Sequence, residues 1–135
     1  MLKISRKGDY ALLLLSFFAK AKGSKAISLR KISKKLKMPY KYLSQIAPVL
    51  VEAGILGSRE GARGGYYLDK DPKKISVGEI LELLEGPMAP VACFRDGCVC
   101  EESCVQKSMI EKMASSLKEA MEGYTLADLA GVNGG

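Results

Sequence analysis

The sequence predicts a mainly α-helical fold with one small β-hairpin: a winged helix-turn-helix followed by a long C-terminal dimerisation helix. Three observations carry this expectation. Two short amphipathic stretches, at 28–37 and 39–54, are separated by a turn of three or four residues. A glycine-rich tip, "GARGG", joins two strand-like runs, "ILGSRE" and "GYYLDK". Val105, Met109, Met113, Leu117 and Met121 then recur at every fourth position, the spacing of one helical face.

The first element is "MLKISRKGDYALLLLSFFAKAKG". Basic residues, an apolar run from Tyr10 to Ala19 and the small-x-small Ala19-Lys20-Ala21 imitate a secretory leader. Asp9 directly before the run and Lys20 and Lys22 at the supposed cleavage point argue against one. The run is also shorter than the roughly 18 apolar residues that a membrane span requires. A buried helix from about Ser5 to Lys22 in a cytoplasmic protein is expected, with no membrane association.

The next two elements form the helix-turn-helix. Ser28 is suited to cap a helix whose buried stripe is Leu29, Ile32 and Leu36 and whose other faces carry Arg30, Lys31, Lys34 and Lys35. That helix should stop near Lys37. Pro39, at or just before the next start, loses nothing by lacking an N–H, and Leu43, Ile46, Ala47 and Leu50 make the second apolar face up to Gly54. Pro48 conflicts with this second helix, because an interior proline removes a hydrogen bond and costs about 3 kcal/mol. Either the helix bends there or another begins.

A basic hairpin behind a helix-turn-helix fits double-stranded DNA. Glycines permit the tight tip, and arginine suits a narrow, electronegative minor groove. The expected contacts are Ser28, Lys31, Tyr40, Lys41, Tyr42 and Gln45 from the helices, with Arg59 and Arg63 from the wing. Ser44 shares the outward side. Gln45 is suited to adenine, and Lys41 to guanine or a phosphate.

Charge is segregated in the same sense. Residues 1–74 hold 17 Lys and Arg against five acids, net +12, and residues 75–135 hold four against ten, net −6. A polyanion-binding half is thus joined to one that should stay off the polyanion. The chain has no histidine, which removes the common catalytic triads and His-containing zinc sites. No catalytic residue is expected.

All four cysteines, Cys93, Cys98, Cys100 and Cys104, fall within "CFRDGCVCEESC". A chain of 135 residues can build a core without disulfide staples, and cytosolic cysteine clusters more often bind metal or respond to redox state. Four-cysteine zinc sites usually come as two Cys-x2-Cys pairs, which are absent here. An iron–sulfur cluster, held by thiolates on a loop eased by Gly97, fits better; zinc and metal-free redox thiols are the alternatives.

"SRKGDYALLLL", "YLSQI", "LVEAGIL", "GARGGYYL", "ISVGEILELLEG", the cysteine cluster and "YTLADL" together resemble the Rrf-type bacterial transcription regulators, the IscR-, NsrR- and RirA-like family. The resemblance covers nearly the whole chain. It implies a dimeric winged-helix DNA binder whose cysteine loop holds a cluster, [2Fe–2S] or [4Fe–4S], that controls DNA affinity. Its three cysteine ligands resemble Cys93, Cys98 and Cys104. Four residues separate the first pair and five the second, where the family usually has five in both places. One branch adds a histidine three positions after the last cysteine, but Lys107 stands there. Another uses a carboxylate from the partner subunit's first helix, and Asp9 resembles that position. The fourth ligand is therefore Asp9 across the dimer or Cys100. Glu60 stands where the family often has the wing arginine, leaving that role to Arg59 or Arg63.

The expected organisation is a DNA-binding region over 1–86, a cluster-binding loop over 87–104, and a dimerisation helix with a short tail over 105–135, all in one structural domain. The expected function is that of an iron–sulfur-dependent transcription regulator, a repressor sensing cluster status, nitric oxide or redox state on a near-palindromic operator. The alternative is a small iron–sulfur redox or electron-transfer protein whose basic half docks on an acidic partner.

Overall fold

The structure, a computed structural model, describes residues 4–21, 25–86 and 106–131. Helix α1 is Arg6–Lys20. Ser5 caps it, its Oγ accepting from the Gly8 N–H at 3.2 Å, and Ala11, Leu14, Leu15 and Phe18 form its buried stripe. The helix stops short of the expected Lys22, because Ala21 already has extended backbone.

Helix α2, Leu29–Leu36, is capped as its sequence anticipates: Ser28 Oγ accepts from the Lys31 N–H at 3.3 Å. Lys37 closes it in the left-handed conformation, at φ 54°. The chain then enters α3, Tyr40–Glu52, through Pro39. Leu43, Ile46, Ala47 and Leu50 of α3 are all buried. No second helix begins at Pro48, since α3 runs through it unbroken. Pro48 and Ser44 are both exposed, so the Ser44 carbonyl that proline leaves without its helical donor faces water.

Strands β1, Leu56–Arg59, and β2, Gly65–Leu68, pair antiparallel, with Leu56 opposite Leu68 and Arg59 opposite Gly65. The wing is also tied to the segment before α2: Ile27 and Tyr66 exchange backbone hydrogen bonds of 2.8 and 2.9 Å. Gly65 sits at φ 149° beside this bridge, where a β-carbon would run into the Ile27 carbonyl. A short 3-10 turn, Pro72–Lys74, leads into α4, Val77–Glu85, capped by Ser76.

Helix α5, Lys107–Glu122, and α6, Leu126–Ala130, complete the described chain. Thr125 and Asp128 form a reciprocal capping box at the start of α6. "YTLADL" is not a loose tail: Leu126, Ala127 and Ala130 are buried, and α6 packs on α1. One core therefore joins α1, α2, α3, β1, Ile75, Ile80 and Leu126. Helix α5 behaves differently, since none of its residues is buried. It meets the body near Gly78 of α4, where a β-carbon would lie 3.4 Å from Met121 and Glu122 atoms. Further along, Met109 and Met113 are 60% and 51% exposed. Among the described residues, no helix is long and apolar enough to cross a membrane.

Candidate nucleic-acid interface

Tyr40, Lys41, Ser44 and Gln45 are exposed on the outer side of α3, opposite its buried stripe. Tyr42 departs from the expectation that it shares this side. It precedes Ile46 by four residues and therefore lies on the same face, half-buried, with its ring 5.3 Å from that of Tyr10 on α1. Lys31 is exposed on α2, while the Ser28 hydroxyl is engaged as that helix's cap. Arg63 is exposed in the tip that connects β1 to β2.

The wing folds back toward α2 and α3, and an open groove of about 530 Å³ lies between them, lined by residues that include Ser28, Arg30, Tyr40, Arg59, Glu60 and Gly64. Two arginines, each placed over a tyrosine ring, border it. The Arg30 guanidinium carbon is 4.9 Å from the Tyr40 ring centroid, and that of Arg59 is 5.0 Å from the Tyr67 centroid. Tyr67 lies over Gly57, its cross-strand partner, in space that any β-carbon at Gly57 would occupy. Neither the first turn of α2 nor that of α3 contains an acid. The acidic half is gathered elsewhere: Glu79, Glu82 and Glu122 line a second groove, of about 370 Å³, between α4 and α5.

Cys93, Cys98, Cys100 and Cys104, and with them the cysteine part of the expected cluster site, lie outside the described residues, as does Val105. Their frame is described: α4 ends at Glu85 and α5 begins at Lys107. Among the described residues, no three His, Cys, Asp or Glu side chains are grouped to hold a metal ion. Asp9 is exposed in the first turn of α1. The Glu85 carboxylate accepts from the Ser5 N–H at the same helix end.

Arg30, Tyr67 and Glu85 were not singled out by the sequence. Arg30 reads as one more solvated base on a lysine-rich helix. Its partner Tyr40 is ten positions away on another helix, and no local pattern links the two.

The family model Rrf2, described as an iron-dependent transcriptional regulator, matches residues 4–131. The HTH-type transcriptional regulator CymR of Bacillus subtilis is 34% identical over 134 residues, covering 99% of this chain and 94% of that protein. The HTH-type transcriptional regulator NsrR of Shouchella clausii is 27% identical over 124 residues, covering 90% and 83%. Among solved structures, B. subtilis CymR, described as the global cysteine regulator, superposes with a TM-score of 0.79 at 36% identity, covering 97% of this chain and 98% of that one. IscR of T. potens superposes at 0.76 and 34% identity, covering 95% and 85%. These relatives are named as regulators and not as enzymes. With a winged helix-turn-helix, its basic outer face and a match from residue 4 to residue 131, the chain belongs to the Rrf2 family of transcriptional regulators.

Proposed function

We propose that this protein is a homodimeric, iron–sulfur-dependent repressor that binds near-palindromic DNA in the cytoplasm. Cys93, Cys98 and Cys104 would hold the cluster, completed by Asp9 of the partner subunit or by Cys100. Lys31, Lys41 and Gln45 on the helices and Arg63 at the wing tip would meet the duplex. The observation that carries this reading is the union, in one chain, of an outward polar recognition surface with a short segment holding every cysteine. The iron-dependent description of the matching family and the NsrR and IscR relatives support the same assignment.

A cluster would supply a redox-active centre that small molecules attack. The chain's own contribution is the donor set. Thiolates suit iron–sulfur centres, and a carboxylate is a harder, weaker partner that would leave one iron easy to displace. Asp9 is exposed, so it is accessible to a second protomer.

A second reading has its own support. CymR, which matches 99% of this chain at 34% identity, is described as a cysteine regulator, and a Staphylococcus aureus CymR was solved in an oxidised form. Four thiols within 93–104 would then respond to redox state with no metal bound. Anaerobic purification with an absorption spectrum and iron and sulfide analysis separates the two: stoichiometric iron and sulfide support the cluster, and their absence after anaerobic reconstitution leaves the thiol reading. A gel shift of a palindromic duplex, weakened by salt, tests the DNA-binding part, because an electron carrier has no need of one.

A further inference from the structure

We infer that Arg30 and Arg59 form a two-jawed clamp for the DNA phosphate backbone, with Tyr40 and Tyr67 as the platforms that hold them. Arg30 thereby joins the DNA contacts, and Tyr40 acts through Arg30. The inference rests on the DNA-binding reading above and specifies which groups take the backbone.

The two arginines come from different elements, the first turn of α2 and the end of β1, yet both border the groove of about 530 Å³ between helices and wing. Each lies over a tyrosine ring, at 4.9 and 5.0 Å. A guanidinium held over a ring by cation–π attraction has five N–H donors, of which the ring cannot take all, so donors remain for a further partner. Two such donors can bind a phosphate through parallel hydrogen bonds. Among the described residues neither guanidinium forms an ion pair, so no carboxylate has to be displaced. The ring contact also restricts long side chains that would otherwise lose rotamer freedom on binding.

The platforms are themselves fixed. Tyr40 begins α3, directly after Pro39. Tyr67 is seated over Gly57, where no other residue leaves room for the ring. The wing that carries Arg59 is tied to the start of α2 by the Ile27–Tyr66 bridge, so the spacing between the jaws is set by backbone hydrogen bonds. Arg63, at the exposed tip and outside the groove lining, is left to enter the minor groove.

The test is a salt titration of binding to two labelled duplexes of unrelated sequence, each about three helical turns long. Each phosphate contact contributes about 0.9 to the slope of log affinity against log salt. Arg30→Ala should therefore reduce the slope by about 0.9 per protomer, and equally on both duplexes. Tyr40→Phe, which keeps the ring, should keep the salt slope of the parent whatever its hydroxyl contributes to affinity, whereas Tyr40→Leu should lower the slope toward that of Arg30→Ala and add nothing to it in the double variant. An unchanged slope for Arg30→Ala, with the parent still binding, overturns the clamp and leaves the DNA-binding reading intact. A loss confined to one duplex also overturns it, making Arg30 a base reader. A slope for Tyr40→Phe as low as that of Arg30→Ala overturns the platform role, and a parent that binds neither duplex overturns the DNA-binding reading itself.

Discussion

Replacing Met109 and Met113 together with glutamine should break the dimer and leave each protomer folded. Glutamine keeps the chain length and a helix propensity close to that of methionine, so α5 should persist. The two methionines are 60% and 51% exposed, and α5 has no buried residue of its own, so the core does not depend on them. Full burial of a methionine is worth about 2 kcal/mol, so the exposed fractions hold about 1 kcal/mol each. A two-fold interface uses each residue twice, which makes about 4 kcal/mol per dimer, or about a thousandfold in dissociation constant. Sedimentation equilibrium over a concentration series reads this directly, with far-UV circular dichroism as the control for the helix. A dissociation constant unchanged by the double substitution would refute the reasoning and place the dimer contact elsewhere.

Other expectations concern the wing, the recognition helix and the cysteine segment. Gly65→Ala should destabilise the protein by about 1–3 kcal/mol, through strained backbone and the collision with the Ile27 carbonyl; a midpoint in urea equal to that of the parent would contradict this. Arg63→Ala should weaken operator binding at fixed salt without moving the thermal midpoint, and undiminished binding in a gel-shift titration would remove Arg63 from the interface. Gln45→Ala should relax base preference at one position per half-site by about 1–3 kcal/mol, whereas equal losses on every sequence would assign Gln45 to a phosphate. Alanine at Cys93, Cys98 or Cys104 should abolish cluster retention after anaerobic reconstitution, while Cys100→Ala keeps it if Asp9 is the fourth ligand. Iron retained by Asp9→Ala and lost by Cys100→Ala would reverse that assignment.

What the sequence made legible is what local physics decides. Ser28 and Pro39 mark helix starts through capping and fixed φ, and both do so in the structure; the stop expected near Lys37 is also there, in a left-handed conformation that a lysine does not announce. The stripe Leu43, Ile46, Ala47 and Leu50 is buried because its spacing leaves it no other face. Pairings between distant segments were not legible. Nothing near Ile27 announces its bridge to Tyr66, and nothing in "YTLADL" tells that Leu126 completes the core beneath α1. Tyr42 shows the intermediate case. Its polar hydroxyl and its neighbours suggest the outer side, and only the geometry of the four-residue step to Ile46 turns it inward. The interface was legible as a charge and a motif, and the ring contacts that hold its arginines were not.

The packing limits how a signal at the cysteine segment can reach the DNA-reading surface. Helix α1 packs against α3, α4 and α6, and α4 also touches α3, so the frame of that segment and the helix-turn-helix belong to one packed body. Helices α1 and α3 both supply fully buried side chains to the one core, Leu14 and Leu15 from α1 and Leu43 and Ile46 from α3 among them. Close-packed interiors do not deform continuously, so a small shift at the Glu85–Ser5 contact cannot easily reshape the helix-turn-helix. The softer coordinate is the placement of one protomer against the other, because α5 meets its own body mainly near Gly78 and presents its methionines outward. If a cluster ligand crosses the dimer through Asp9, cluster loss acts on that coordinate and alters the spacing of two recognition helices that must sit about 34–36 Å apart. Labels on the two wings should then change separation on cluster removal, while a pair within one protomer holds its distance; the opposite result would place the switch inside the fold. Sensing by this route would leave each reading head intact and change only whether both can engage one operator, a division of labour that a rigid core and a dimer contact through α5 would allow.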